Sequence, residues 1–136
     1  MPTERCLLDF EGLWRIAREV RHGNGSVGQF AGTAQFTPAG DGLAYVEEGT
    51  LTLAGTALQA TQRYHWGADL AVHFDDGRFF HHVPPLGGET SHWCAPDQYD
   101  GHYDFADWPA FTVTWTVTGP RKDYRMLSRY ARSGSR

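Results

Sequence analysis

The chain has a single lysine, Lys122, only two cysteines, and no long apolar run. Each shortage removes a class of protein. Cys6 and Cys94 cannot build a disulfide framework, and so low a count fits thiols kept reduced in a cytoplasmic setting. The first ten residues, Met1 to Phe10, carry Glu4, Arg5 and Asp9, which argues against a secretory leader or a membrane span. Cys-x-x-Cys, His-x-His and His-Glu-x-x-His spacings are absent, so no metal site is expected, and no motif calls for a cofactor. The turn Gly23-Asn24-Gly25 has no helical pattern after it and therefore cradles no phosphate. A net charge of −4 disfavours nucleic-acid binding. Half of the basic residues gather between Arg121 and Arg136, in what the pattern makes a solvated terminal strand. Internal repeats, low-complexity tracts and linkers are also missing.

What remains is one domain, residues 1–136, whose 16 glycines, 7 prolines and 14% aromatics suit turns and sheets better than helix bundles. Thr3 is placed to cap a short helix with Leu7, Leu8 and Phe10 facing inward and Gly12 ending it. The apolar period then changes to two. It predicts strands at Leu13–Val20, Val27–Thr37, Leu43–Leu53, Leu58–Trp66, Asp69–Asp75, Arg78–Val83, Glu89–Ala95, Gln98–Phe105, Ala110–Thr118 and Lys122–Arg132. Glycine- and proline-rich turns separate them. Nine to ten short sequential strands predict an all-β antiparallel up-and-down barrel, because closure removes exposed edges.

Turn lengths assign the faces. A two-residue Asp76-Gly77 turn pairs Asp75 with Arg78 and Phe74 with Phe79, placing Leu70, Val72, Phe74, Phe79, His81 and Val83 inside. A Pro96-Asp97 turn pairs Cys94 with Tyr99, and a Gly119-Pro120 turn pairs Trp115 with Tyr124. Thr112, Thr114, Thr116 and Thr118 form the matching outer stripe. On the early strands Trp14, Ile16, Arg18 and Val20 point inward, as do Tyr45 and Glu47, while Glu48 points out.

The expected interior is more polar than a pure core. Tyr45, Gln62, Tyr64, His81, His92, Cys94, Tyr99, Tyr103, Trp115, Tyr124 and Tyr130 form the candidate ligand-binding set. Arg18 and Glu47, buried without partners, would cost several kcal/mol. They therefore pair with each other, reach the barrel mouth, or meet a ligand. Glu47, Arg18 and His81 are the catalytic candidates, with Glu47 as acid/base and His81 as its competitor. A metal on His92 and Cys94, with His81 on the same wall, is disfavoured by the missing ligand spacings, and a nucleophile–base pair because i, i+2 neighbours on a strand are poorly placed for proton transfer.

Gly12-Leu13-Trp14, opening the first strand after a short helix, resembles the calycin barrels, the lipocalins and fatty-acid-binding proteins. So does arginine on the last strand, at Arg129 and Arg132, where such barrels stack a basic residue on that tryptophan. Tyr130 and Arg132 are similar to the Arg/Tyr pair that holds a carboxylate in the fatty-acid-binding proteins, in reversed order. Gly12-Leu13-Trp14-Arg15, Asp76-Gly77-Arg78, Phe80-His81, His92-Trp93-Cys94, Pro96-Asp97-Gln98-Tyr99, Tyr103-Asp104-Phe105 and Gly119 to Tyr124 together resemble a bacterial family of unknown function. That resemblance runs from Phe10 to Arg132 and implies a calycin-like fold without an activity. The leading expectation is a small-molecule binder for an apolar or aromatic ligand with an acidic or hydroxylated end, met by Arg18 or Arg132. A lyase or isomerase acting on a small aromatic acid is the alternative, by analogy with the phenolic acid decarboxylases, which combine tyrosines, an arginine and a glutamate in a lipocalin-like barrel. An accessory protein-interaction domain with a filled core is the third.

Overall fold

The computed structural model describes residues 3–133 and consists of a single 3-10 turn, Leu7–Phe10, followed by ten strands. These are β1 (Gly12–His22), β2 (Val27–Ala39), β3 (Gly42–Leu53), β4 (Thr56–Trp66) and β5 (Ala71–Phe74), then β6 (Phe79–His82), β7 (Gly88–Cys94), β8 (Asp97–Asp104), β9 (Phe111–Thr118) and β10 (Asp123–Arg132). One antiparallel sheet runs β6-β5-β4-β3-β2-β1-β10-β9-β8-β7. The first strand thus pairs with the last, and the sheet curls into a nearly closed barrel. Its seam lies between β6 and β7, where the Thr90 hydroxyl donates to the His82 carbonyl at 2.8 Å in place of a ladder.

Alternation decides the faces as the period-two pattern requires. Phe111, Val113, Trp115 and Val117 are buried on β9, while Thr116 and Thr118 are exposed and Thr112 and Thr114 half-buried. Trp14, Ile16, Phe30, Ala34, Phe36, Leu43 and Tyr45 continue the core on β1 to β3.

The 3-10 turn plugs one end. Phe10 is fully buried and meets the rings of Phe36, Trp66, Phe105, Trp108 and Phe111. Trp14 Nε1 donates to the Phe10 carbonyl at 2.9 Å, and the Arg132 guanidinium lies 4.0 Å from the Trp14 ring centre. Arg132 also donates to the carbonyls of Glu11 and Asp9, at 2.7 and 2.6 Å. It is thereby held outside the cavity, so the expectation that it meets a ligand anion, alone or paired with Tyr130, is corrected. Arg129 points to the outer face and is exposed.

Several local expectations change. Thr3 does not cap the turn; the Asp9 carboxylate accepts the Cys6 N–H at 2.9 Å instead. Leu8 is exposed, because three residues per 3-10 turn align Leu7 with Phe10 and turn Leu8 away. Between β5 and β6 the ladder shifts at Val72/His73, pairing His73 with Phe79 and Val72 with His81. Phe80 is the extra residue of this bulge. Gly77, at φ 92°, closes a wider turn than the two-residue one, with Phe74 N–H donating to Arg78 O at 2.8 Å. Phe79 therefore turns outward, Phe80 enters the core, and Arg78 pairs with Asp76 in place of Asp75. Elsewhere the slips are even-numbered: Cys94 pairs with Asp97 and His92 with Tyr99, and Trp115 pairs with Met126 and Val117 with Tyr124. A shift of two leaves every face unchanged.

Gly32 and Gly49 face each other across β2 and β3. A Cβ on Gly32 would stand 2.0 Å from the Glu48 carbonyl oxygen, and one on Gly49 would stand 2.8 Å from the Phe30 ring. Backbone cannot yield as a side-chain tip can. Gly32→Ala is expected to lower stability by about 2 kcal/mol or more, read as the urea midpoint; an unchanged midpoint would show that the two strands can part there freely.

Candidate functional site

Beyond the plug the barrel holds a cavity of about 480 Å³, open at its other end. All of the candidate ligand-binding and catalytic side chains line it, at different depths.

One polar cluster in the cavity is built on an ion pair. Arg18 Nη1 and Nη2 donate to Glu47 Oε2 and Oε1 at 2.5 and 3.0 Å, and Arg18 Nε donates to Ser128 Oγ at 2.7 Å. Arg18 comes from β1 and Glu47 from β3, so the pair spans β2 over its small inward residues Gly32 and Ala34. Tyr45 Oη donates to Glu47 Oε1 at 2.5 Å and lies 2.8 Å from Tyr130 Oη. Since the Tyr45 proton is engaged by Glu47, Tyr130 must be the donor to Tyr45. Burial opposes the Arg18 cation, but the Glu47 hydrogen bond and the nearby acidic groups outweigh it and raise its pKa. Burial raises Tyr45 well above the ordinary phenol value and Tyr130 to about 12. Both phenols stay protonated at neutral pH.

A second buried pair is His81 with Tyr103. His81 Nε2 lies 2.8 Å from Tyr103 Oη, and His81 Nδ1 is buried without a partner among the described residues. Burial, followed by the charges of His92 and His82, lowers the His81 pKa to about 3. Burial also pushes Tyr103 up. His81 is therefore a neutral imidazole in the fold.

One wall is a run of flat rings. Phe80 stacks on Phe74 at 4.7 Å and on Trp115 at 5.1 Å, and His92 meets the Phe80 ring edge-on at 5.3 Å. Phe80 was missed by alternation; the bulge that turns it inward leaves no mark on the period. At the rim, exposed Gln62 donates through Nε2 at 3.0 Å to Oη of Tyr64, a half-buried residue that pairs with Tyr45 across β3 and β4. Tyr99, Tyr124 and Met126 continue the rim, and Cys94 is an exposed free thiol at its edge. Lys122 Nζ donates to Tyr99 Oη at 2.9 Å and lies 3.2 Å from Asp97. Those hydrogen bonds raise its pKa, so Lys122 is an ammonium ion and not a nucleophile. Arg78, assigned outward, stands at the mouth with its guanidinium 5.2 Å from the Phe74 ring.

Breaking one side of the inner ion pair leaves the other charge buried. Glu47→Gln and Arg18→Met are each expected to cost about 3–5 kcal/mol, and the double variant clearly less than the sum; additive urea-unfolding losses would mean that the two side chains do not interact. His81 gives a pH signature. Its folded pKa of about 3 lies below the ordinary value near 6.5, so the unfolded chain takes up the proton first. Its contribution is complete above about pH 6.5 and is lost progressively as pH falls toward 3. His81→Gln should flatten the fall in urea midpoint over that range, whereas parallel curves would contradict a neutral buried imidazole.

No match was found among curated proteins. Among solved structures, the S-type phycobiliprotein lyase CPES from Guillardia theta superposes with a TM-score of 0.67, covering 96% of this chain and 92% of the lyase, at 9% sequence identity. At that identity the likeness is one of barrel fold. The described residues contain no helix long and apolar enough to cross a membrane. The family model that matches does so over residues 10–132, from the buried phenylalanine of the plug to the arginine that stacks on Trp14, and the chain belongs to that family of unknown function (DUF6314).

Proposed function

We propose that the protein is a calycin-like barrel that binds a small molecule with a flat apolar body and a hydrogen-bonding inner end. The carrying observation is the pairing of a stacked aromatic wall, Phe74–Phe80–Trp115, with the polar floor of Arg18, Glu47, Tyr45 and Tyr130 in one open cavity. At about 480 Å³ the cavity has the size of small-ligand sites. An open interior argues against an accessory domain with a filled core. Its barrel is similar to that of a protein named as a lyase, which keeps lyase chemistry as the alternative. Binding is the better reading of Glu47. Both of its oxygens already accept hydrogen bonds from Arg18 or Tyr45, and a general acid/base must exchange its proton with substrate.

Native mass spectrometry of protein taken directly from cells is expected to show an added small-molecule mass that is lost on denaturation. Phe80→Leu should weaken the retained ligand by about three- to tenfold, since it removes ring stacking while keeping an apolar side chain. A ligand-free spectrum, together with no saturable quenching of tryptophan fluorescence by naphthalene compounds, would refute the binding function.

A further inference from the structure

The inner end of the cavity carries hydrogen-bond donors that no atom of the described residues accepts. A guanidinium has five N–H groups. Arg18 gives one to Ser128 and two to Glu47, and the other two have no partner among the described residues. Ser128 Oγ accepts from Arg18, so its own proton is likewise unmatched among the described residues. Tyr64 Oη accepts from Gln62, which leaves the Tyr64 proton free on the same basis. Tyr130 differs, because its proton is committed to Tyr45 and that of Tyr45 to Glu47. Arg18, Ser128 and Tyr64 all line the cavity. The cavity is open, so water can meet these donors until a ligand displaces it, and a donor then left unmatched costs more than an unused lone pair. The group that completes this floor is therefore one that accepts.

Charge selects the kind of acceptor. A carboxylate set against the remaining Arg18 N–H groups would also lie close to Glu47, and repulsion from the glutamate offsets much of the attraction to the arginine. The anion would in addition have to leave its water. A neutral carbonyl oxygen takes the same donors without either penalty, and the stacked wall favours a planar body. Resting on the binding function above, we propose that the ligand is an uncharged planar aromatic compound of the aryl ketone, ester or quinone class, whose carbonyl oxygen is read by Arg18, Ser128 and Tyr64. This narrows the acidic or hydroxylated end expected from sequence to an acceptor without a charge.

Four probes of similar size separate the outcomes: 2-ethylnaphthalene, 2-acetonaphthone, 2-naphthol and 2-naphthoate, titrated at neutral pH against the tryptophan fluorescence of the full chain. Acetonaphthone is expected to bind about tenfold more tightly than ethylnaphthalene and than naphthoate. Naphthoate binding as well as the ketone overturns the uncharged class. Ethylnaphthalene matching the ketone overturns the acceptor requirement, and naphthol matching it overturns the carbonyl class, since a phenol oxygen also accepts; either leaves the binding function intact. Silence from all four probes defeats the binding function itself and this inference with it. Tyr64→Phe and Ser128→Ala, singly and together, should narrow the ketone's advantage over ethylnaphthalene to under about threefold. An undiminished advantage in variants with unaltered circular dichroism overturns the assignment of those donors.

Discussion

A half-buried arginine and a buried glutamate govern this barrel. Each charge would be costly alone in the interior, and together they need a geometry good enough to offset lost hydration. The protein meets that need by bringing β1 and β3 together across β2. Gly32 and Ala34 keep β2 low between them, Ser128 takes the third guanidinium contact, and Tyr45 completes the carboxylate. Once Tyr45 is committed, Tyr130 is oriented in turn. One electrostatic demand therefore orders side chains on β1, β3 and β10, and it leaves a rigid polar floor under an apolar space.

The plug at the other end solves a different problem. A barrel of ten strands has two mouths, and here one is filled by Phe10 and Trp14 with Arg132 laid over the indole. The arginine ties the last strand to the backbone just before the first, through the carbonyls of Asp9 and Glu11. Sheet closure and end closure thus share a residue, and the cavity is left with a single opening.

Much of this was legible in the residues. The threonine stripe from Thr112 to Thr118 and the inward tyrosines follow from a period of two, which survives any even slip in a turn. That is why the Trp115 and Cys94 partners could be wrong while their faces were right. The Trp14–arginine stack was readable from resemblance, although only geometry chooses Arg132 over Arg129. Phe79 and Phe80 show where the pattern fails. A bulge adds one residue, reverses the parity beyond it, and depends on a turn geometry that Asp76-Gly77 permits without dictating. Leu8 failed for a related reason, since a 3-10 turn has a different period from the helix assumed for it. The mutual hydrogen bonds of Arg18 and Glu47 required distances that no spacing contains.

The barrel wall behaves mechanically like a hoop with one joint. Around most of its circumference, parting two strands means breaking a run of backbone pairs. Between β6 and β7 the wall is joined by the Thr90 hydroxyl and by side-chain packing, with Phe80 on one side of the joint and His92 on the other. Widening there breaks few bonds, and it moves the aromatic wall while the polar floor stays fixed on β1, β3 and β10. The cavity is therefore stiff at its polar floor and compliant at its aromatic wall. On the binding function proposed above, ligands with the same inner group and bodies of different breadth would share the site.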